Sequence, residues 1–135
     1  MEAAEIFKPG MTHEISFQVE EQYTAIHVGS GVLRVLATPS MIAFMERCSH
    51  RLLAQHLPEG KSSVGVWVDV RHLAPTPFGC NVRVMCEILE VDGARVTFAV
   101  QAWDEQEKIG EGKHQRVIID QERFLKRVQA KQTCV

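Results

Sequence analysis

One segment constrains this chain more than any other. From Thr38 to about Pro58 the apolar residues follow a helical stripe. Met41, Met45, Cys48 and Leu52 fall on one line, with Ile42 and Leu53 beside it, while Arg47, His50, Arg51 and Ala54 occupy the opposite side. Thr38-Pro39 is a start signal, with Thr as N-cap and Pro at the first helical position. Pro58-Glu59-Gly60 is a stop. A long helix with one apolar face must bury that face against another layer.

The other layer has a period of two. Thr12 to Glu20 alternates, with Ile15, Phe17 and Val19 apolar and Glu14, Ser16, Gln18 and Glu20 polar. After the helix come strands only. Val64, Val66, Val68 and Val70 alternate with Gly65, Trp67, Asp69 and Arg71. Thr76-Pro77-Phe78-Gly79 breaks the pattern, and Val82 to Val91 resumes it. Asp92-Gly93 signals a tight hairpin leading to a return strand over Arg95 to Trp103. Asp104 to Lys108 turns, Gly110-Glu111-Gly112 lies between strands, and Gly112 to Ile119 is a last strand before a short helix over Asp120 to Ala130. A further strand near Tyr23–Val28 is possible. Strand, long helix, then four hairpin-connected strands predict an α+β fold, with the helix packed on one face of an antiparallel sheet.

The 135 residues make one domain spanning 1–135, and the 45% hydrophobic content is enough for a core without staples. A net charge of -2 excludes a strongly basic nucleic-acid binder, which needs a Lys/Arg excess. No stretch approaches the roughly 20 apolar residues needed to cross a bilayer, and the acidic start Met1-Glu2-Ala3-Ala4-Glu5 lacks signal-peptide order. Cys48, Cys80, Cys86 and Cys134 show no metal-type spacing, which suits free thiols in a reducing cytoplasm.

Three polar residues stand out. Glu46 lies about 40° from Ile42 and about 20° from Leu53 around the helix, so it borders the buried face. It is either a boundary carboxylate paired with a neighbour or a carboxylate in a cleft, available as base or nucleophile. Thr38 opens the helix, where capping alone would explain it. His72 ends the valine-rich strand beside a Pro-containing bend, a common place for reactive side chains and equally for structural ones. Zincin, nucleophile-elbow and phosphate-loop motifs are absent.

Together these segments resemble a known family. Ala37-Thr38-Pro39-Ser40-Met41-Ile42-Ala43-Phe44-Met45-Glu46 is similar to the helix motif of the fluoroacetyl-CoA thioesterase-like family of hotdog-fold acyl-CoA thioesterases. Ser63-Val64-Gly65, Val70-Arg71-His72 with Ala74-Pro75-Thr76-Pro77-Phe78-Gly79, and Ile109-Gly110-Glu111-Gly112-Lys113-His114-Gln115-Arg116 agree with it. The similarity runs from about Gly10 to Val128. It implies a hotdog fold: one long central helix wrapped by a curved antiparallel sheet of five or six strands, with a short C-terminal helix, paired edge to edge as a homodimer. It also implies catalytic roles for Thr38, Glu46 and His72, and substrate binding by Gly65 and Arg116, with Arg116 on the phosphate or pantetheine part of coenzyme A. No cofactor or metal is implied, since the acyl-CoA thioester is the substrate.

That chemistry suits these residue types. Gly65 would let backbone approach the acyl group, Glu46 could attack the carbonyl or deprotonate water, and His72 could carry the proton to sulfur. A non-catalytic acyl-CoA-binding module is the alternative, and an enoyl-CoA hydratase using Glu46 and His50 a third. The segment Tyr23 to Leu36 is short and lacks the family's Phe-bearing lid, so no strong preference for fluoroacetyl-CoA is expected. Met41, Phe44, Met45 and Phe78 either line an adaptable acyl site or are plain core.

Overall fold

The computed structural model describes residues 2–132. Its elements run α1 (Ala3–Ile6), β1 (Thr12–Gln18), a 3-10 turn (Glu21–Tyr23), α2 (Ala25–Val28), α3 (Thr38–Ala54), β2 (Lys61–His72), β3 (Asn81–Asp92), β4 (Arg95–Trp103), β5 (Lys108–Asp120) and α4 (Gln121–Gln129). The five strands form one antiparallel sheet in the order β1-β3-β4-β5-β2. Helix α3 touches all five. This is the one-helix, one-sheet arrangement that the period change predicts.

The core is the helix face foreseen in the sequence. Met41, Met45, Cys48, Leu52 and Leu53 are buried against Val82, Val84, Cys86 and Ile88 of β3 and Val96, Phe98 and Val100 of β4. Met41, Phe44 and Met45 are therefore core residues, whereas Phe78 lies exposed under the Arg34 guanidinium. An aromatic cluster fixes where the helix crosses the sheet. Phe44 stacks on Phe17 of β1 with ring centroids 3.5 Å apart, and Tyr23 meets it edge-on at 4.9 Å. Ser49 sits in the same layer, and its hydroxyl donates to the Met45 carbonyl, so no polar group is stranded there.

Two local expectations fail, each for a visible reason. The stretch Tyr23–Val28 is not a strand. Thr24 Oγ1 accepts from the His27 amide and caps α2, and Gly29 closes it in the left-handed conformation at φ 85°. Gly110-Glu111-Gly112 is not between strands but inside β5. A Cβ at Gly110 would meet the Met41 sulfur at 2.5 Å, and one at Gly112 would collide with the Asp69 carbonyl. The two glycines let β5 lie close to β2 and α3.

The expectation of free thiols holds for Cys48, Cys80 and Cys86, while Cys134 lies outside the described residues. Cys48 and Cys86 sit 3.6 Å apart in the core, and the contact with Cys86 together with burial pushes the Cys48 thiol up, away from thiolate reactivity. Among the described residues, no helix is long and apolar enough to cross a membrane.

The aromatic cluster makes a stability prediction. Phe44→Ala removes a buried ring with three aromatic or cationic neighbours, including Arg47 stacked 4.4 Å from its centre. Urea unfolding should show a loss of about 3–5 kcal/mol, as for other buried Phe→Ala changes. A loss below about 1 kcal/mol would mean that the cluster is not what seats the helix.

Candidate active site

Thr38 is the first helical residue rather than the cap. Ala37 occupies the cap position and makes no side-chain hydrogen bond, so Pro39 falls at the second position. The Thr38 hydroxyl is engaged elsewhere: Oγ1 and His72 Nδ1 lie 2.7 Å apart. The last residue of β2 is thus tied to the first turn of α3, across 34 residues of sequence. The other imidazole nitrogen, Nε2, is buried with no hydrogen-bond partner among the described residues. Burial also holds the His72 pKa below the ordinary value, which favours the neutral ring.

A hollow of about 390 Å³ opens beside this pair. It is lined by Thr38 and His72 on one side and by Ala25, Ser30 and Val35 on the other. The segment preceding α3, which the sequence shows without an obvious lid, therefore does roof this hollow. Backbone hydrogen bonds hold it there: the Ala25 amide donates to the Val35 carbonyl, the Leu36 amide to Thr76, and the Ala37 amide to Tyr23. The roof is built from small side chains rather than phenylalanine.

Glu46 stands at a second hollow, lined also by Gly65, Val66, Trp67, Val68 and His114. It is half-buried, as its angular position on the helix predicts. The place where a Gly65 Cβ would stand is ringed by three groups: His114 Cε1 at 3.2 Å, Glu46 Oε2 at 3.3 Å and Arg116 NH1 at 3.4 Å. A carboxylate and a guanidinium thus face the same small space. They form no ion pair within 4.0 Å of each other. A β-bulge follows directly, since Gly65 pairs with Arg116 and Trp67 with Gln115, leaving Val66 between them.

Arg116 is not at the surface. Only 6% of it is exposed, and its guanidinium donates to Ser63 Oγ at 2.8 Å, to the Ser63 carbonyl at 3.1 Å and to His114 Nε2 at 3.1 Å. The guanidinium is anchored inside the sheet and faces the Gly65 space. Burial lowers its pKa and the Glu46 charge raises it, so it stays cationic. Ser63 and His114 are members of this site to which the sequence reading gave no role. Strand parity was the available signal: Ser63 pairs with Ile118, and His114, Arg116 and Ile118 share one face of β5.

The five candidate residues thus form two groups in one chain. Thr38 and His72 make one, and Glu46, Gly65 and Arg116 make the other. Thr38 and Glu46 are eight residues apart, about 12 Å along the helix. His50, placed on the polar side by the sequence, is half-buried, and burial and the Arg116 charge both lower its pKa. A larger hollow of about 470 Å³, between Lys61, Phe124 and Arg127, holds neither group, so polar convergence rather than volume marks the site. Among the described residues, no three His, Cys, Asp or Glu side chains are grouped to hold a metal ion.

A model of the family described as fluoroacetyl-CoA-specific thioesterase matches residues 19–122. The fluoroacetyl-CoA thioesterase of Streptantibioticus cattleyicolor is 38% identical over 97 residues, which cover 72% of this chain and 70% of that protein. A crystal structure of the fluoroacetyl-CoA thioesterase superposes with a TM-score of 0.88 at 32% identity, covering 93% of this chain and 97% of the other. A hot-dog-like protein from Thermanaerovibrio acidaminovorans superposes at 0.90 with 27% identity, covering 97% of both chains.

Three histidines, one buried and two half-buried, give a pH prediction. The pKa values of His50, His72 and His114 all lie below the ordinary 6.5, chiefly through desolvation. The unfolded chain takes up these protons before the folded one does. Stability is then full above about pH 6.5 and falls as pH drops through that value toward the folded-state pKa values. Thermal melts from pH 7.5 to 5.5 should show a falling Tm, and less of a fall in a His114→Gln protein. Equal slopes for the two proteins would count against it.

Proposed function

The chain belongs to the fluoroacetyl-CoA-specific thioesterase family, and from that premise we propose that it hydrolyses a small acyl-CoA thioester with Thr38, Glu46 and His72 as catalytic groups and Gly65 and Arg116 holding the acyl end. As a member of that family it is a thioester hydrolase. One observation carries the assignment of residues. The side-chain space left empty at Gly65 is bordered at 3.3 Å by the Glu46 carboxylate and at 3.4 Å by an Arg116 N–H donor. A thioester carbonyl lying over Gly65 would have a negative group beside its carbon and a positive one beside its oxygen.

The steps follow from these positions. Glu46 either attacks the carbonyl carbon or takes a proton from an attacking water. The carbonyl oxygen becomes negative, and the Arg116 guanidinium stabilises it. The carbon–sulfur bond then breaks, the sulfur takes a proton and coenzyme A leaves, with the free acid released at this step if water was the nucleophile. If Glu46 has attacked, water hydrolyses the acyl-Glu46 anhydride and restores the carboxylate. His72, neutral and linked to Thr38, is suited to carry the proton to sulfur, with the Thr38 hydroxyl orienting the ring.

Within one chain the Thr38–His72 pair cannot reach an acyl group over Gly65. His72 is seven residues from Gly65 along β2, roughly 23 Å. A second copy resolves this. Strand β2 is one of the sheet's two edges, paired among the described residues with β5 alone, and Val66, Trp67 and Val68 are 48%, 43% and 39% exposed on it. Such an edge invites strand pairing. An antiparallel β2–β2 pair centred near Val68 brings His72 of one strand opposite Val64 and beside Gly65 of the other. The proposed unit is a homodimer whose two sites each combine groups from both copies.

Thiol release from acetyl-, fluoroacetyl-, butyryl- and branched acyl-CoA tests the reading. Glu46→Gln, which keeps shape but loses basicity, should lose at least about 10²-fold in rate. Near-normal turnover in a folded Glu46→Gln protein would refute the role. The roof of small side chains supports only modest selectivity, so the preference for fluoroacetyl-CoA over acetyl-CoA should stay below roughly a thousandfold.

The dimer is tested separately. Light scattering should give twice the chain mass at micromolar concentration. Val68→Asp, on the exposed edge, should give a folded monomer with little turnover. A fully active monomer would overturn the two-copy site.

A further inference from the structure

We infer that His114 is a positioning residue for this reaction: it fixes the Arg116 guanidinium so that its unused N–H groups face the space over Gly65 opposite Glu46. The inference rests on the thioesterase reading and adds a residue to it. His114 lies in β5, only 1% exposed, with its ring roughly parallel to Phe98 at 6.2 Å. Its Nδ1 is 2.9 Å from the Trp67 carbonyl. A carbonyl only accepts, so Nδ1 carries the proton. Nε2 is then a bare lone pair, and Arg116 NH1 donates to it at 3.1 Å.

This bond completes a three-sided clamp. Ser63 Oγ accepts from Arg116 Nε, the Ser63 carbonyl accepts from NH2, and His114 accepts from NH1. A guanidinium has five N–H groups, so one on NH1 and one on NH2 remain. NH1 is also the nitrogen 3.4 Å from the empty Cβ place of Gly65. Without His114 the guanidinium would keep its two Ser63 contacts but could rotate or shift about them.

The clamp requires a neutral imidazole, because an imidazolium would set a second N–H against that of Arg116. The charged groups facing this cluster are Arg116 and Glu46, with His50 across from them on α3. Burial, foremost, and the Arg116 charge hold the His114 pKa below its ordinary value, against the Trp67 carbonyl and Glu46, which act to raise it. The bulge between Gly65 and Trp67 carries the Trp67 carbonyl to which Nδ1 donates. The same distortion that leaves Val66 unpaired thus places the acceptor that sets the tautomer.

Asn and Gln separate the two ring nitrogens. His114→Asn keeps a donor near the Nδ1 position and loses the acceptor for Arg116. His114→Gln puts a carbonyl oxygen near the Nε2 position. For a donor aimed at a developing oxyanion, His114→Asn should lower kcat by about 10- to 100-fold with KM moved less than about threefold. His114→Gln should return kcat to within about fivefold of wild type. In an Arg116→Lys background, His114→Asn should add less than about twofold, because both changes disable one unit.

Losses that multiply, or a Gln variant as poor as Asn, overturn the inference. Wild-type turnover and Glu46→Gln run alongside. If Glu46→Gln stays active while His114 and Arg116 remain coupled, the Glu46 role fails and the positioning role stands. If Glu46→Gln is inactive and the His114 and Arg116 losses multiply, only the positioning role fails. Imidazole nitrogen NMR on the wild-type protein needs no variant to fold. The His114 ring should titrate below the ordinary histidine value of 6.5, with the neutral form protonated on Nδ1, and titration at or above that value would overturn the inference.

Discussion

Helix α3 has a single apolar face, and burying that face is what organises the sheet around it. Met41, Met45, Cys48 and Leu53 lose all contact with water there, and residues from β3 and β4 supply the other side. A layer of this kind is worth about 25 cal/mol for each Å² of apolar surface removed from water, so it outweighs any single polar contact in the molecule. Polar groups therefore lie where the layer ends or where a hydrogen bond meets them inside it. Thr38 marks its N-terminal edge, Glu46 its flank, and the buried Ser49 is tolerated because its hydroxyl bonds to the helix itself.

The second constraint is electrostatic. A guanidinium at 6% exposure costs several kcal/mol unless its donors are met and an opposite charge is near. Ser63 and His114 meet three of the donors, and Glu46 supplies the charge across a gap rather than by contact. A closed ion pair would satisfy both groups and leave nothing for a substrate. The missing side chain at Gly65 keeps the gap open, so a carbonyl placed there would complete an arrangement that the protein alone leaves unfinished.

The third is the free edge. Strand β2 is twelve residues long, carries Gly65 and His72 of the candidate site, and has no strand partner on its outer side among the described residues. Proteins usually blunt such an edge with charge or proline, and here Val66, Trp67 and Val68 remain exposed instead. The roof over Thr38 and His72 carries exposed apolar side chains as well, with Val32 87% and Leu33 65% exposed. Both halves of the site thus lie beside apolar surface that suits contact with a second copy or with substrate.

Much of this was legible in the sequence because it depends on period and punctuation. The helix stripe, the alternating strands, Asp92-Gly93 and the aspartate that caps α4 each act over a few residues, and each stands where the pattern places it. The half-buried position of Glu46 is likewise a matter of angle along one helix. The sequence misjudged what long-range contacts decide. Thr38 reads as a cap, but His72, 34 residues away, draws its hydroxyl off. Tyr23 to Leu36 holds no phenylalanine, as its sequence shows, but the backbone bonds to Thr76 and between its own ends that fold it over the hollow do not show in the sequence. Arg116 reads as a substrate contact, but only strand pairing with Gly65 shows that it turns inward onto Ser63 and His114. Local spacing determines which face of an element a residue occupies; only the tertiary structure decides which distant partner meets it there, because hydrogen bonding and burial depend on distances that sequence separation does not set.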